Sequence, residues 1–345
     1  MTERATSRAS HATVADFTER DLIARISARL PPSPPWMPVG IGDDAAVVEP
    51  EKNRLEVLTV DALVEGVHFD RAFTPPRAIG HRALAVNLSD LAAMGAAPRV
   101  CLLSLALPPV LPIDDFDAMI EGLAALARLH RVHVAGGNLT RSPGPMMIDV
   151  TVTGTAKRRQ LLTRAGARPG DELYVTGTVG AAAAGLAMLK EDPSESRTDT
   201  NSCAARYLYP EPRVRMGLLV ARNRAATAGM DLSDGLADAV HQIARANGVG
   251  AIVEAEAVPV DPTAREWFSR HGDDPVTAAI TGGDDYELLL AVRPRLAKRL
   301  TAARRHGGLA LTRIGVCTED PAVRLKCGRG DPTVVPLPSG FHHFR

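Results

Sequence analysis

The sequence predicts an α+β fold built of two α/β domains, and three observations predict it. At 345 residues the chain is long for one hydrophobic core and comfortable for two. Apolar runs of strand length alternate with helical ones, but without the strict βαβ regularity of a doubly wound sheet. A charged connector bearing Gly and Pro, KRRQLLTRAGARPGDE at about 157–172, separates the two halves. Domains are therefore expected over 17–157 and 158–345, behind a Ser/Thr/Ala-rich tail over 1–16 that is expected to be disordered.

Taken in order, Phe17 to Leu30 reads as an amphipathic helix, with Phe17, Leu22, Ile23, Ile26 and Leu30 near helical spacing. The prolines of PPSPPW stop it. Leu55 to Val60 reads as a short strand ending at Asp61. Residues 78–94 read as a helix closed by Gly95 and Pro98, and Val100 to Leu107 as a buried strand. DDFDAMIEGLAALARLHRV is a third helix whose aspartates suit its positive end, and Met146 to Thr155 alternates as a strand. Beyond the connector come a strand, ELYVTG, a helix, GAAAAGLAMLK, and a polar loop over 191–203 with the composition of a mobile insertion. Asp231 is expected to open a helix carrying Leu236, Val240 and Ile243, ended by Asn247-Gly248. Strands recur around Ile252, Leu288 and Ile314.

Composition narrows the function. Forty basic residues balance forty acidic ones, which argues against a broad footprint for nucleic acid or anionic lipid. Aromatics at 4% are too sparse for a base-stacking platform. No run approaches the roughly 18 apolar residues of a membrane span, and the polar N-terminus lacks a secretory core. Four scattered cysteines without metal spacing read as reduced thiols, so a cytoplasmic location is expected.

Carboxylates gather at Gly42-Asp43-Asp44, at Asp61, at Asp90, at Asp231 with Asp234 in DLSDG, and at Gly282-Gly283-Asp284-Asp285-Tyr286-Glu287. Each has an ordinary alternative, because Gly-Asp pairs form turns and Asp231, Ser233 or Asp234 can cap a helix. Asp90 fits that alternative least, since aspartate gains little inside a helix without a partner. Together the clusters point to one mouth where oxygen ligands converge on a hard cation such as Mg²⁺. Phosphoryl transfer needs such ions. No GxxxxGK[ST] loop and no protein-kinase motif set is present, so a standard nucleotide fold is disfavoured. Gly136-Gly137, Gly177–Gly180 and Gly282-Gly283 offer other backbone cradles for phosphate.

The segments GIGDDAAVV, VDALVEGVHF, ALAVNLSDLAAMGAAP, GGNLTRSPG, LLTRAGARPGDELYVTGTVG, MDLSDGL, TGGDDYELLL and GFHHF occur here in that order. In this the chain resembles the thiamine-monophosphate kinases, within the superfamily of aminoimidazole ribonucleotide synthetase. The resemblance implies that superfamily's two-domain fold, ATP as co-substrate, thiamine monophosphate as acceptor and a homodimer joined through the N-terminal domains. It implies Mg²⁺ ligation by Asp44, Asp61, Asp90, Asp231 and Asp234, with Thr59 adding an oxygen and Asp43 beside them. Of these, Asp61, Asp90 and Asp231 would carry the catalytic metal. Gly137, Asn138 and Ser233 would lie by the nucleotide, and Arg164 would meet its phosphates. His68 would contact the phosphorylated substrate, while Asp284 and Phe341 would line the thiamine end.

Three positions depart from the family pattern. Asn138 stands in GGNLT where GGDTT is usual, so a neutral amide replaces a metal-binding carboxylate. Val60 stands where a threonine commonly precedes the aspartate, and Asp284 replaces the usual glutamate. Two other readings stay open at this level: a relative using ATP on another phosphorylated substrate, and a nucleotide-binding protein with little turnover.

Overall fold

A computed structural model describes residues 12–194, 202–328 and 332–340. Helix α1 (Glu19–Ser27) opens on Thr18, whose hydroxyl accepts the Asp21 amide while the Asp21 carboxylate accepts the Thr18 amide. Ahead of it, residues expected to lie in a disordered tail are in place. The Ala12 carbonyl accepts from Ile113, Val14 donates to Leu111, and the Val14 side chain is buried.

Four strands form the first sheet: β1 (Leu55–Val64), β2 (Ala97–Leu107), β3 (His133–Arg141) and β4 (Met147–Ala156), in the order β1-β4-β2-β3. Only β2 and β3 run parallel. Helices α2 (Pro76–Ala93) and α3 (Ile113–His130) cover one face. Nearly every residue of α2 is buried, because it lies between this sheet, α3 and the second domain. Paired glycines permit the crossing of α2 and α3. A Cβ at Gly80 would stand 1.8 Å from the Met119 carbonyl, and one at Gly122 would stand 2.0 Å from that of Arg77.

The second sheet has seven strands: β5 (Glu172–Thr176), β6 (Ala228–Asp231), β7 (Gly250–Glu254), β8 (Leu288–Val292), β9 (Leu311–Thr318), β10 (Val323–Cys327) and β11 (Thr333–Pro336). Their order is β11-β10-β7-β9-β5-β8-β6, and only β7 and β10 are parallel. Helices α4 (Ala181–Glu191), α7 (Leu236–Asn247), α8 (Pro262–Arg270) and α9 (Pro275–Thr281) pack on one face, with short α5 (Cys203–Leu208) against α4. Helices α6 (Val214–Asn223) and α10 (Ala297–Gly307) pack on the other. Alternation along β8 shows the division: Leu288, Leu290 and Val292 join the core shared with α2 and α3, while Leu289 and Ala291 face α7.

Four local expectations are corrected. Asp61 lies within β1, which runs on to Val64 because its partner β4 continues opposite it. Asp231 ends β6 and opens no helix; DLSDG is the turn between β6 and α7. Gly136-Gly137 lies inside strand β3. The loop expected over 191–203 is narrower at both ends, since α4 reaches Glu191 and α5 begins at Cys203; residues 195–201 lie outside the described residues.

Candidate active site

Helix α2 crosses behind β1 and carries Ser89 and Asp90 to the junction of the two domains. Thr59 and Asp61 alternate with the exposed Leu58 and Val60, so they point from β1 toward α2. The Thr59 hydroxyl donates to Asp90 Oδ2, and the Ser89 hydroxyl donates to Asp231 Oδ2 at 2.7 Å. Strand β1 of the first sheet, the end of β6 in the second and helix α2 thus bring Asp61, Asp90 and Asp231 together.

The electrostatics record the crowding. Burial first, then the charges of Asp90, Asp231 and Asp149, push Asp61 up to about 7. Burial and Asp90 push Asp231 up to about 7 as well. Burial raises Asp90, with the Thr59 hydrogen bond and the Arg164 charge opposing. Arg164, in the connector, is held by α7: its guanidinium donates to Gln242 Oε1 at 2.5 Å, and Asn247 bonds the Arg164 carbonyl and the Gly166 amide. The Arg164 charge thus bears on Asp90 and Asp231 of the three.

An all-oxygen donor set of this kind, carboxylates with a neighbouring hydroxyl, fits a hard divalent cation. The side chains do not yet form a coordination shell. Among the described residues no three His, Cys, Asp or Glu side chains stand together at metal-binding spacing.

The single mouth expected from sequence divides. Asp43 and Asp44 lie in an exposed turn, with the Asp44 amide on Asp43 Oδ1 at 2.8 Å, and share a cleft of about 580 Å³ with Gly137 and Asn138. Gly137 and Asp61 occupy one cross-strand row at opposite edges of the first sheet, roughly 14 Å apart at the usual strand spacing. No hydrogen bond or ion pair among the described residues joins Asp44 to the trio. Asn138 stands beside Ser104, which stands beside Asp149, on the sheet face opposite Asp61.

A second group lies further along α2. Asp284 and Tyr286 both hold left-handed backbone, φ 67° and 49°, in the loop that reaches β8. That loop pairs with the DLSDG turn: the Asp284 amide donates to the Ser233 carbonyl at 2.8 Å and Tyr286 donates to Leu232 at 3.0 Å. Ser233 and Asp234 are half-buried beside it. Arg82 of α2 meets Asp284 Oδ1 at 3.2 Å, where Tyr286 also donates at 3.0 Å. The Arg82 guanidinium lies 4.3 Å over the ring of Tyr207, whose hydroxyl donates to the His68 carbonyl at 3.2 Å. His68 Nδ1 accepts the Val64 amide at 3.0 Å, so its other nitrogen carries the proton in the neutral ring. His68 and Asp284 are therefore joined through Tyr207 and Arg82. Phe341 lies outside the described residues, but Gly340 rests against the Asp234 carbonyl and Asp238.

Arg82, Tyr207, Ser89 and Asp149 escaped the sequence reading. One signal was available: Arg82 is a lone cation in the apolar run AIGHRALAV, where burial without a partner would be costly.

The chain matches two sequence families, AIR synthase related protein, N-terminal domain, over residues 42–156 and AIR synthase related protein, C-terminal domain, over 168–328. A thiamine-monophosphate kinase of Synechococcus elongatus is 39% identical over 309 residues, covering 88% of this chain and 91% of the relative. The crystal structure of a thiamine-monophosphate kinase from Stenotrophomonas maltophilia K279a superposes with TM-score 0.80 at 38% identity, covering 90% of this chain and 96% of that one. A structure described as AaThiL complexed with AMPPCP and TMP gives TM-score 0.73 at 31% identity, covering 88% and 92%. With both domains matched and such identity across most of its length, the chain belongs to the thiamine-monophosphate kinase family of AIR synthase related proteins.

Proposed function

We propose that the chain transfers the γ-phosphoryl group of ATP to thiamine monophosphate, giving thiamine diphosphate and ADP. The observation that carries this reading is the meeting of Asp61, Asp90 and Asp231 beside Arg164, in a chain similar along most of its length to kinases of that name. An oxygen of the acceptor's phosphate attacks the γ-phosphorus as the bond to the β,γ-bridging oxygen breaks. The electron pair leaves on ADP. A phosphate dianion is already nucleophilic, so no side chain has to remove a proton.

Mg²⁺ is the proposed metal, held by Asp61, Asp90 and Asp231 with Thr59 and Asp234 alongside, while Asp44 is assigned to a second ion in the cleft it shares with Gly137 and Asn138. Bound there, it would neutralise charge on the transferring group and keep donor and acceptor in line. Arg164 supplies a forked cation to the same phosphates. Gly137, Asn138 and Ser233 are assigned to the nucleotide, and His68, Asp284 and Phe341 to the acceptor. Arg82 and Asp90 are eight residues apart on α2, about 12 Å along its axis, so one helix sets the spacing between acceptor and metal. Asn138 lies across the sheet from the trio, and its missing charge leaves those three carboxylates intact.

The chain is proposed to pair with a second copy through the face of the first sheet that no helix among the described residues covers. Leu58, Val60, Leu102 and Met147 stand there 68%, 57%, 45% and 42% exposed, an apolar patch suited to a partner sheet. No helix among the described residues is long and apolar enough to cross a membrane, and all four cysteines are free. A cytoplasmic location is proposed on that footing. ADP release from ATP and Mg²⁺, measured with and without thiamine monophosphate, tests the reading. Dependence on the acceptor supports it, and ADP release indifferent to the acceptor contradicts it.

A further inference from the structure

A groove of about 520 Å³ opens where the connector, α6 and the start of α10 meet, and five arginines line it: Arg159, Arg224, Arg293, Arg295 and Arg299. We propose that this groove binds a small, multiply charged phosphate anion of the diphosphate class, at a site separate from the candidate active site.

Charge carries the argument. The chain as a whole is neutral, yet the three segments that build the groove, 157–170, 212–230 and 288–318, contain no Asp or Glu. Among the described residues only Arg293 of the five has a carboxylate partner, Asp171 at 3.5 Å, which also accepts from Thr227. Like charges left facing one another destabilise the compact state, and a bound polyanion would relieve that repulsion. All five are arginines, whose planar forks match phosphate oxygens two at a time.

Backbone geometry is an independent observation. Arg224 caps α6 in left-handed conformation at φ 50°, a place where glycine or asparagine is usual. From that position Arg224 lines the groove. The floor of Leu162, Val220 and Leu296 is apolar and concave, which suits a compact ligand better than an extended nucleic acid strand.

The groove is distinct from the carboxylate trio but tied to it. Ala226 on its wall is five residues before Asp231, roughly 16 Å along extended chain. The connector whose Arg159 and Leu162 line the groove continues through Thr163, bonded to Gly229 at 3.0 Å, to Arg164 at the trio. An anion held here would steady the segment that positions Arg164.

The test is equilibrium dialysis of the full chain against radiolabelled inorganic diphosphate in metal-free buffer. The comparison set is wild type, Arg224→Gln/Arg299→Gln, Arg159→Gln/Arg295→Gln and Arg164→Gln. All four groove positions substituted are exposed, so the variants should fold. Wild type and Arg164→Gln are expected to retain the anion, and each double variant to bind it at least tenfold more weakly. Displacement by ADP or thiamine diphosphate at lower concentration than by diphosphate would support the site and name an organic phosphate as its source. Displacement by diphosphate alone would support it with the free anion as source. Absence of binding in wild type, unchanged binding in the double variants, or loss confined to Arg164→Gln would overturn it.

Discussion

Arg82, only 1% exposed, reaches from α2 of the first domain to Asp284 of the second, 3.2 Å from its Oδ1. Asp284 is held in left-handed backbone and shares that oxygen with the Tyr286 hydroxyl. The ion pair therefore fixes the domain junction and aims the acceptor-side carboxylate at once. Replacing Arg82 by Met strands the Asp284 charge. The loss should be about 2–4 kcal/mol, below the full value for a buried pair because the Asp284 side chain is 32% exposed. Urea denaturation checks the stability. Steady-state kinetics should show a higher KM for thiamine monophosphate with kcat changed less.

Asp231→Asn separates function from stability. The amide oxygen can still accept the Ser89 hydroxyl, while one charge leaves a crowded, buried group. Turnover should fall about 10²–10³-fold, as when one electrostatic partner of a transition state is removed. The metal-free protein should become more stable by about 1 kcal/mol, since a buried carboxylate short of counter-charge is unfavourable. Activity assays and thermal melts in chelator check the two halves.

Stability should fall as pH rises. Asp61, Asp231 and Asp285 are each pushed up to about 7 in the folded chain, in every case by burial first, against an ordinary value of 3.8. Between about pH 4 and pH 7 the native state then binds more protons than the unfolded state, so unfolding free energy declines across that window and levels off above it. Asp285 accepts the Gly180 and Ala182 amides at the start of α4, away from the trio. Asp285→Asn should flatten part of the slope with or without Mg²⁺, whereas Mg²⁺ should remove only the part owed to Asp61 and Asp231. Urea melts in chelator and in Mg²⁺ from about pH 4 to about pH 8 measure both.

Asn138→Asp should lower the Mg²⁺ concentration needed for half-maximal turnover several-fold. The new carboxylate would lie in the cleft with Asp43 and Asp44, where a divalent ion would gain a further anionic ligand. A Mg²⁺ titration of ADP release reads this directly.

Leu58→Asp/Val60→Asp should leave each chain folded and separate the dimer, because both side chains are exposed and face away from the core. Light scattering after gel filtration measures the mass of the species.

The long elements were legible because burial leaves a period in the sequence. Helix α3 and the β4 alternation follow from it. What escaped was short or lacked side chains to carry a pattern. Strand β3 passes through Gly136-Gly137, and β6 is only AGMD, so Asp231 looked like a helix start when it is a strand end. The candidate site was legible as a set of carboxylates, but its division was hidden. Whether Asp44 joins Asp61 depends on the sheet order β1-β4-β2-β3, which puts Asp61 on one edge strand and Gly137, whose cleft Asp44 shares, on the other. Arg82 was hidden for the opposite reason: its partners Asp284 and Tyr207 come from distant segments that only the packing of α2 brings to it.

Transfer of label from γ-³²P-ATP, followed in wild type and Asp231→Asn with Mg²⁺ or with chelator, tests the central claim most directly. The account predicts radiolabelled thiamine diphosphate from wild type with Mg²⁺, and little or none in chelator or from the variant. Label released only as inorganic phosphate, or transfer undiminished in chelator or by Asp231→Asn, would contradict it.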